Sequence, residues 1–99
     1  MHIISRKTLK LFYEQPDYRD AKGTLESWYY EVCHEEWKKP SDVKKKYRSA
    51  SVLKGNRIVF NIGGNKYRLV VKINYSLKIV FIRFVGTHEA YDQIDAEVI

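Results

Sequence analysis

Apolar and polar residues alternate in the second half of the chain, and this pattern predicts a β-strand. In residues 66–74, the apolar side chains of Tyr67, Leu69, Val71 and Ile73 occupy every second position. Successive side chains of a strand point to opposite faces of a sheet. One face of this strand is therefore predicted to be apolar and the other mostly cationic.

Neighbouring segments are also predicted to be strands. Residues 57–62 alternate in the same way, and residues 52–54 can pair as an edge strand. Residues 77–85 are apolar on both faces, which is typical of a central strand. Gly63 and Gly64 supply the positive φ that a short hairpin before residues 66–74 requires.

The first half of the chain has the period of helices. After a short first strand over residues 1–4, Ser5 is expected to cap a helix that ends near Pro16. Asp17 is expected to cap a longer second helix. Its apolar positions recur at helical spacing: Ala21, Leu25, Trp28, Tyr29 and Val32.

Two short helices complete the prediction, one over residues 41–47 and one over residues 88–94, capped by Thr87. This order of elements predicts an α+β fold. The N-terminal helices pack on one face of a three- to four-stranded antiparallel sheet, and a short C-terminal helix follows. We expect residues 1–99 to form a single domain, because 99 residues suffice for one modest core.

Cysteine usage and hydropathy bear on localisation. The chain has one cysteine, Cys33, so it cannot form an internal disulfide. No leader of the secretory type precedes the fold, and no apolar run approaches the ~20 residues of a membrane helix. We expect a cytoplasmic protein with no membrane association.

The positive charge is concentrated in the middle of the chain. Residues 38–83 carry thirteen basic side chains and one acidic side chain, whereas residues 84–99 carry four acidic and no basic side chains. A block of positive charge within a folded domain favours a polyanionic ligand, although it also fits a merely solvated face. The acidic residues 92–99 are expected to fray.

Few kinds of catalytic site fit this sequence. His2, His34, His88 and Cys33 are dispersed, so neither a metal site nor a cofactor is expected. The chain has no nucleophile elbow, and the Gly63–Gly64 pair lacks the ending of a phosphate-binding loop. Cationic chemistry on a phosphodiester remains, with Arg68 opposite the apolar face as the leading candidate. Arg68 also fits an ordinary exposed charge.

Two motifs make the chain resemble a known family. VFNIGGNKYRLV at residues 59–70 and VGTHEAYD at residues 85–92 resemble the signature of HigB-type toxins in the RelE/ParE superfamily. MHIIS at residues 1–5 and the Trp28–Tyr29 pair add to the likeness. The resemblance implies a basic endoribonuclease, or mRNA interferase, that acts on messenger in the ribosome. It also implies a silencing partner, in HigB systems an antitoxin of the helix-turn-helix (HigA) type.

The resemblance also implies site residues. Arg68 matches the place where RelE-like nucleases carry a catalytic arginine, and His88 the place of another catalytic basic residue. Histidine could transfer protons near neutral pH, whereas arginine could only stabilise charge. Tyr91 could hydrogen-bond or stack on a base, or pack against the sheet. Apart from the resemblance, Lys66 and Arg83 are further catalytic candidates, because Arg83 is expected on the same side of the sheet as Arg68 if neighbouring strands pair.

A wider set is assigned to contacts with substrate or ribosomal RNA, although the three consecutive lysines also fit a solubilising helix face. These RNA-binding candidates are Lys44, Lys45, Lys46, Arg48, Lys54, Arg57, Asn61, Asn65 and Lys72. A competing function is non-enzymatic, because ParE-like members of the same superfamily poison DNA gyrase by binding. The fold alone does not separate the two.

Overall fold

The computed structural model describes residues 1–99, and its centre is a mixed sheet of five strands. The strands are β1 (His2–Ile4), β2 (Ser51–Leu53), β3 (Arg57–Ile62), β4 (Tyr67–Asn74) and β5 (Ile79–Thr87). The helices are α1 (Arg6–Tyr13), α2 (Lys22–Cys33), α3 (Pro40–Lys46) and α4 (His88–Tyr91), and a 3-10 segment (Pro16–Ala21) precedes α2. The predicted α+β class is confirmed.

The strand order is β1-β5-β4-β3-β2, so β4 lies in the middle of the sheet and β5 beside it. Strands β2 to β5 pair with antiparallel neighbours, as predicted. The expected three to four antiparallel strands become five, because β1 joins the edge of the sheet and runs parallel to β5. A strand of three residues is too short for its pattern of apolar and polar positions to indicate which strand it pairs with.

Several helix boundaries differ from the prediction. Helix α1 ends at Tyr13 instead of near Pro16, and Ser5 precedes it without the expected side-chain cap. Asp17 does not cap α2, because it lies inside the 3-10 segment and α2 begins only at Lys22. Helix α4 ends three residues early, but Thr87 caps it as predicted, and its Oγ1 accepts a hydrogen bond from the N–H of Ala90 at 3.1 Å. None of the helices combines the length and apolar composition needed to cross a membrane.

The main core lies between the helices and one face of the sheet, here called the inner face. Leu25 and Trp28 from α2 are buried with Phe60, Tyr67 and Leu69 from the sheet. The Trp28 ring meets the Phe60 ring edge-on, with 5.4 Å between centroids. Each large apolar side chain buried in this way contributes roughly 1.5–3 kcal/mol. Alternation thus directs the opposite set of β4 side chains, including Arg68, to the outer face.

A second, smaller core lies on the outer face. Val59 and Val70 are buried there against Ala96, and the half-buried side chains of Phe84 and Tyr91 pack around them. The C-terminal residues 92–99 therefore cross the outer face instead of fraying. This segment is acidic in composition, but its apolar side chains make the contacts with the outer face.

Candidate active site

The β3–β4 hairpin places Arg68 at one corner of the outer face. Gly63 and Gly64 adopt φ values of +62° and +70° in the turn, which a residue with a side chain adopts only with strain. The register then pairs Arg68 with Asn61 on one side and with Gly86 on the other. Arg68 thus lies between Asn61, which has a polar side chain, and Gly86, which has no side chain.

Backbone carbonyl groups hold the Arg68 guanidinium. Its Nη1 donates to the carbonyl oxygens of Asn65 at 3.0 Å and Tyr67 at 3.2 Å. No carboxylate lies within ion-pair distance of Arg68. A guanidinium has five N–H donors, so the remaining donors are free for a phosphate.

His88 begins α4 at the same corner of the sheet. Its backbone N–H donates to the carbonyl oxygen of Lys66 at 3.2 Å, which fixes the start of α4 beside the start of β4. Thr87, the preceding residue, is the cross-strand partner of Tyr67. The structure therefore brings Arg68 and His88, twenty residues apart in the sequence, to one corner.

Asp92 is a functional candidate that the sequence analysis did not assign. Its Oδ2 lies 3.4 Å from Nδ1 of His88, and the two side chains are 54% and 46% exposed. A carboxylate in this position orients the ring and favours a proton on Nδ1, which leaves Nε2 free to exchange a proton. The spacing of four residues on a helix was the signal that could have revealed the pair. We call Arg68, His88 and Asp92 the corner site.

Lys66 is paired on the helix side of the sheet. Its ammonium and the Tyr67 hydroxyl both donate to the carboxylate of Asp20, in the 3-10 segment. The Lys66 hydrogen bond, followed by that of Tyr67, lowers the pKa of Asp20, and Asp20 raises the pKa of Lys66. Lys66 therefore stays protonated near neutral pH and suits charge stabilisation, not base catalysis. No sequence pattern links Asp20 to Lys66.

Tyr91 lies on the outer face with its ring against the sheet. Its centroid is 6.4 Å from that of Phe84, and it packs beside the buried Val59, Val70 and Ala96. Part of its surface remains accessible. Of the two roles considered for this residue, the structure shows the packing contact.

Arg83 occupies a β-bulge. Val70 pairs with Phe84, whereas Val71 pairs with Ile82, so Arg83 has no cross-strand partner. A bulge re-aims the side chain of its extra residue. Arg83 is exposed and lines an open groove of about 630 Å³ near the end of the outer face opposite the corner site. The structure does not bring it beside Arg68.

The basic candidates outside the corner differ in what they contact. The Lys44 ammonium donates to the carbonyl oxygens of Arg48 at 2.7 Å and Ala50 at 2.8 Å, so it stabilises the link from α3 to β2. Lys46 lies 3.9 Å from Glu35, whereas Lys45 has no acidic partner within that range. The three lysines thus point in different directions, as a helix requires.

The other RNA-binding candidates lie along the sheet. Asn61 adjoins Arg68 and donates to the carbonyl oxygen of Ser49 at 3.4 Å, and Asn65 lies in the turn. Lys54 is exposed beyond the edge strand β2. Arg57 and Lys72 line the same groove as Arg83. No three metal-ligating side chains lie together in the structure.

The corner site combines the groups that metal-free phosphodiester cleavage requires. A fixed cation can stabilise a pentacoordinate phosphorus, and an imidazole can transfer a proton. His88 is exposed and Arg68 is partly exposed, so a long polymer can reach both.

Comparison with known proteins gives consistent results. A family model described as HigB toxin, the RelE-like toxic component of a toxin–antitoxin system, matches residues 21–94. The chain is 33% identical to the "mRNA interferase toxin HigB" of Escherichia coli (strain K12) over 94 residues, which cover 93% of this chain and 88% of that protein. The "mRNA interferase HigB" proteins of Escherichia coli O157:H7 and Shigella flexneri are similar to the same extent. The matched residues 21–94 include the whole corner site.

Proposed function

Because the chain belongs to the RelE-like HigB toxin family, we propose that it is an endoribonuclease that inhibits translation by cleaving mRNA. The observation that carries this proposal is the meeting of Arg68 and His88 at one solvent-facing corner of a cationic sheet. Family membership implies an antitoxin as partner. The unit that performs this function is the whole chain, residues 1–99, acting as one domain.

The reaction needs no group beyond the side chains of the chain. The 2′-hydroxyl of the RNA attacks the adjacent phosphorus and loses a proton, and the bond from phosphorus to the 5′-oxygen breaks. The products are a 2′,3′-cyclic phosphate and a 5′-hydroxyl, which receives a proton. Arg68 binds the phosphoryl oxygens as negative charge develops, an effect worth ~3–4 kcal/mol for a well-placed donor.

His88 transfers one of the two protons through Nε2, while Asp92 holds Nδ1. A positioned acid or base contributes about 10²- to 10⁴-fold to the rate. Lys66 and Arg83 add positive charge without bonding to the scissile phosphate. Tyr91, the last residue of α4, packs against the sheet and presents its accessible edge to the substrate.

RNA binding extends beyond the corner along the cationic surface. Asn61 and Asn65 flank Arg68, and neither Lys45 nor Lys54 forms an ion pair with a carboxylate. Lys44, Lys46 and Arg48 contribute to the field more weakly, because Lys44 is bound to carbonyl groups and Lys46 lies beside Glu35. The target is messenger on the translating ribosome in the cytoplasm. The partner is an antitoxin of the helix-turn-helix (HigA) type.

The test is cleavage of messenger on purified translating ribosomes, with wild type and Arg68→Ala at equal concentration. We expect new fragments with 5′-hydroxyl ends from wild type and almost none from Arg68→Ala. A gyrase supercoiling assay run in parallel addresses the ParE-like alternative. Intact messenger together with inhibited gyrase would replace the nuclease proposal by that alternative.

A further inference from the structure

The groove that contains Arg83 has features of a ligand site. Arg57 and Lys72 are direct cross-strand partners in β3 and β4, and the bulge adds Arg83 beside them. Neither Lys72 nor Arg83 lies within ion-pair distance of a carboxylate, whereas Arg57 already donates to a main-chain oxygen. Like charges directly opposite each other destabilise a sheet. An anion bound between them would convert this repulsion into attraction.

The groove also offers an aromatic surface. Phe81 is the cross-strand partner of Lys72 in β5, is only half buried, and lines the same groove. Cations beside an accessible aromatic ring are the combination with which proteins bind single-stranded nucleic acid, because phosphates contact the cations and bases stack on the ring. A groove of about 630 Å³ is large enough for a nucleotide.

The groove is separate from the corner site. Lys72 follows Arg68 by four residues in β4, a distance of roughly 13 Å at about 3.3 Å per residue. The buried Val70 lies between them under Ala96, so an apolar ridge divides the two cationic regions. Arg57 lies on the far side of this ridge, where its Nε donates to the main-chain oxygen of Ile99, the last residue, at 2.8 Å.

We propose that Arg57, Lys72, Arg83 and Phe81, here called the basic groove, bind a backbone phosphate and a base of single-stranded RNA away from the scissile phosphate. This inference rests on the proposed function, since it extends the path of the same RNA. The groove contributes to substrate binding and not to the chemical step. It therefore affects KM, whereas the corner site affects kcat.

The experiment measures binding of a short 2′-O-methyl RNA, which has no 2′-hydroxyl to react, as a function of salt. Lys72→Gln and Arg83→Gln are each expected to weaken binding about fivefold and to lower the salt slope by about 0.7 for each phosphate that the protein no longer neutralises. Phe81→Ala weakens binding with the salt slope unchanged. Lys7→Gln, on the exposed face of α1, is the matched control and leaves both quantities unchanged.

A stability measurement separates this role from a structural one. Because the variants relieve repulsion between like charges, their Tm is equal to or above that of wild type although RNA binding falls. Unchanged RNA affinity and salt slope in Lys72→Gln and Arg83→Gln, with cleavage by wild type intact, would overturn the inference and leave the proposed function standing. Weakened binding in these variants supports the groove even if wild type cleaves no messenger.

Discussion

At the scale of single residues, the corner site depends on one guanidinium that has no acidic partner. An arginine paired with a carboxylate must break that pair to bind phosphate, whereas Arg68 is held by two carbonyl groups that leave its charge uncompensated. These two carbonyl groups also fix the direction in which the guanidinium points. In the proposed reaction, the planar fork of N–H donors, and not only the charge, determines how Arg68 binds two phosphoryl oxygens.

The first prediction concerns this fork. Arg68→Ala lowers RNA cleavage at least tenfold, a loss of more than about 1.4 kcal/mol of transition-state stabilisation. Arg68→Lys keeps the charge but recovers only part of the rate, because lysine cannot donate two parallel hydrogen bonds. Single-turnover cleavage at equal folded concentration is the measurement, with Lys7→Ala as control. Full activity in Arg68→Ala would remove this residue from the site.

The second prediction concerns the His88–Asp92 pair. His88→Ala lowers cleavage at least about tenfold, because the variant has no imidazole to transfer a proton. Asp92→Asn keeps His88 but no longer orients it, so kcat falls less and KM is unchanged. The check is a pH–rate profile for the three proteins. If Asp92→Asn is indistinguishable from wild type at every pH, the contact at 3.4 Å has no role in orienting the ring.

At the scale of elements, the 3-10 segment is tied to β4 through Asp20. The Asp20 pKa lies below its ordinary value of 3.8, so this contribution to stability is present above pH 3.8 and is lost as pH falls through the lowered value. The Lys66 pKa lies above 10.5, so its contribution is present below pH 10.5 and is lost as pH rises through the raised value.

The third prediction follows from these two directions. Asp20→Asn lowers the Tm across the neutral range, where both charges of the pair are present. The difference from wild type shrinks in strong acid, as Asp20 of the wild type becomes protonated. Thermal unfolding followed by circular dichroism at several pH values measures this, and Asp17→Asn, in the same segment, is the control. A difference that does not change with pH would mean that the pair contributes no electrostatic stability.

Replacement of glycine by alanine is expected to have opposite effects on stability at two positions, Gly86 and Gly23. A Cβ at Gly86 would lie 2.6 Å from the Phe84 ring. That ring packs against Tyr91, the last residue of α4. A Cβ at Gly23 in α2 would meet nothing within 4 Å. The same added methyl group thus clashes in one place and fits in the other.

The fourth prediction is that Gly86→Ala lowers the free energy of unfolding by about 1–3 kcal/mol through overpacking. It also lowers cleavage, because a displaced Phe84 ring shifts Tyr91 and α4, which carries His88. Gly23→Ala raises the free energy of unfolding by about 0.5–1 kcal/mol, because alanine is the better helix former. Chemical denaturation measures both. Equal effects in the two variants would show that the Phe84 contact is not restrictive.

Some features of the elements could be predicted from the sequence alone, and others could not. Alternation and glycine placement predicted β3 at its observed bounds, and the residue type of Thr87 predicted the cap of α4. Both features depend only on residues that are neighbours in the sequence. The bulge at Arg83 and the pair of Lys66 with Asp20 were not predictable, since each depends on residues far apart in the sequence. The packing of Ala96 against Val59 and Val70 was hidden for the same reason. Of the candidate site, the sequence indicated Arg68 and His88, and the spacing of four residues could have indicated the His88–Asp92 contact. The carbonyl contacts of Arg68 were not predictable.

At the scale of the whole molecule, charge is distributed unevenly. Only three of the 18 lysine and arginine residues pair with an aspartate or glutamate side chain: Lys46, Lys66 and Lys78. The free cations therefore create a positive field over the sheet and α3, which attracts RNA and acidic protein surfaces alike. An antitoxin can be attracted by this field and still leave uncovered the residues that bind RNA.

The fifth prediction concerns how that antitoxin acts. Co-expressed with the product of the neighbouring gene, the chain is expected to purify as a tight complex whose association rate falls as salt rises. Because inhibition needs only to keep the toxin out of the ribosome, we expect the antitoxin to leave the corner site open. The free toxin then sediments with ribosomes and the complex does not, whereas both bind 2′-O-methyl RNA. Loss of RNA binding in the complex would instead place the antitoxin over the cationic face, since inhibition would then act at the site itself.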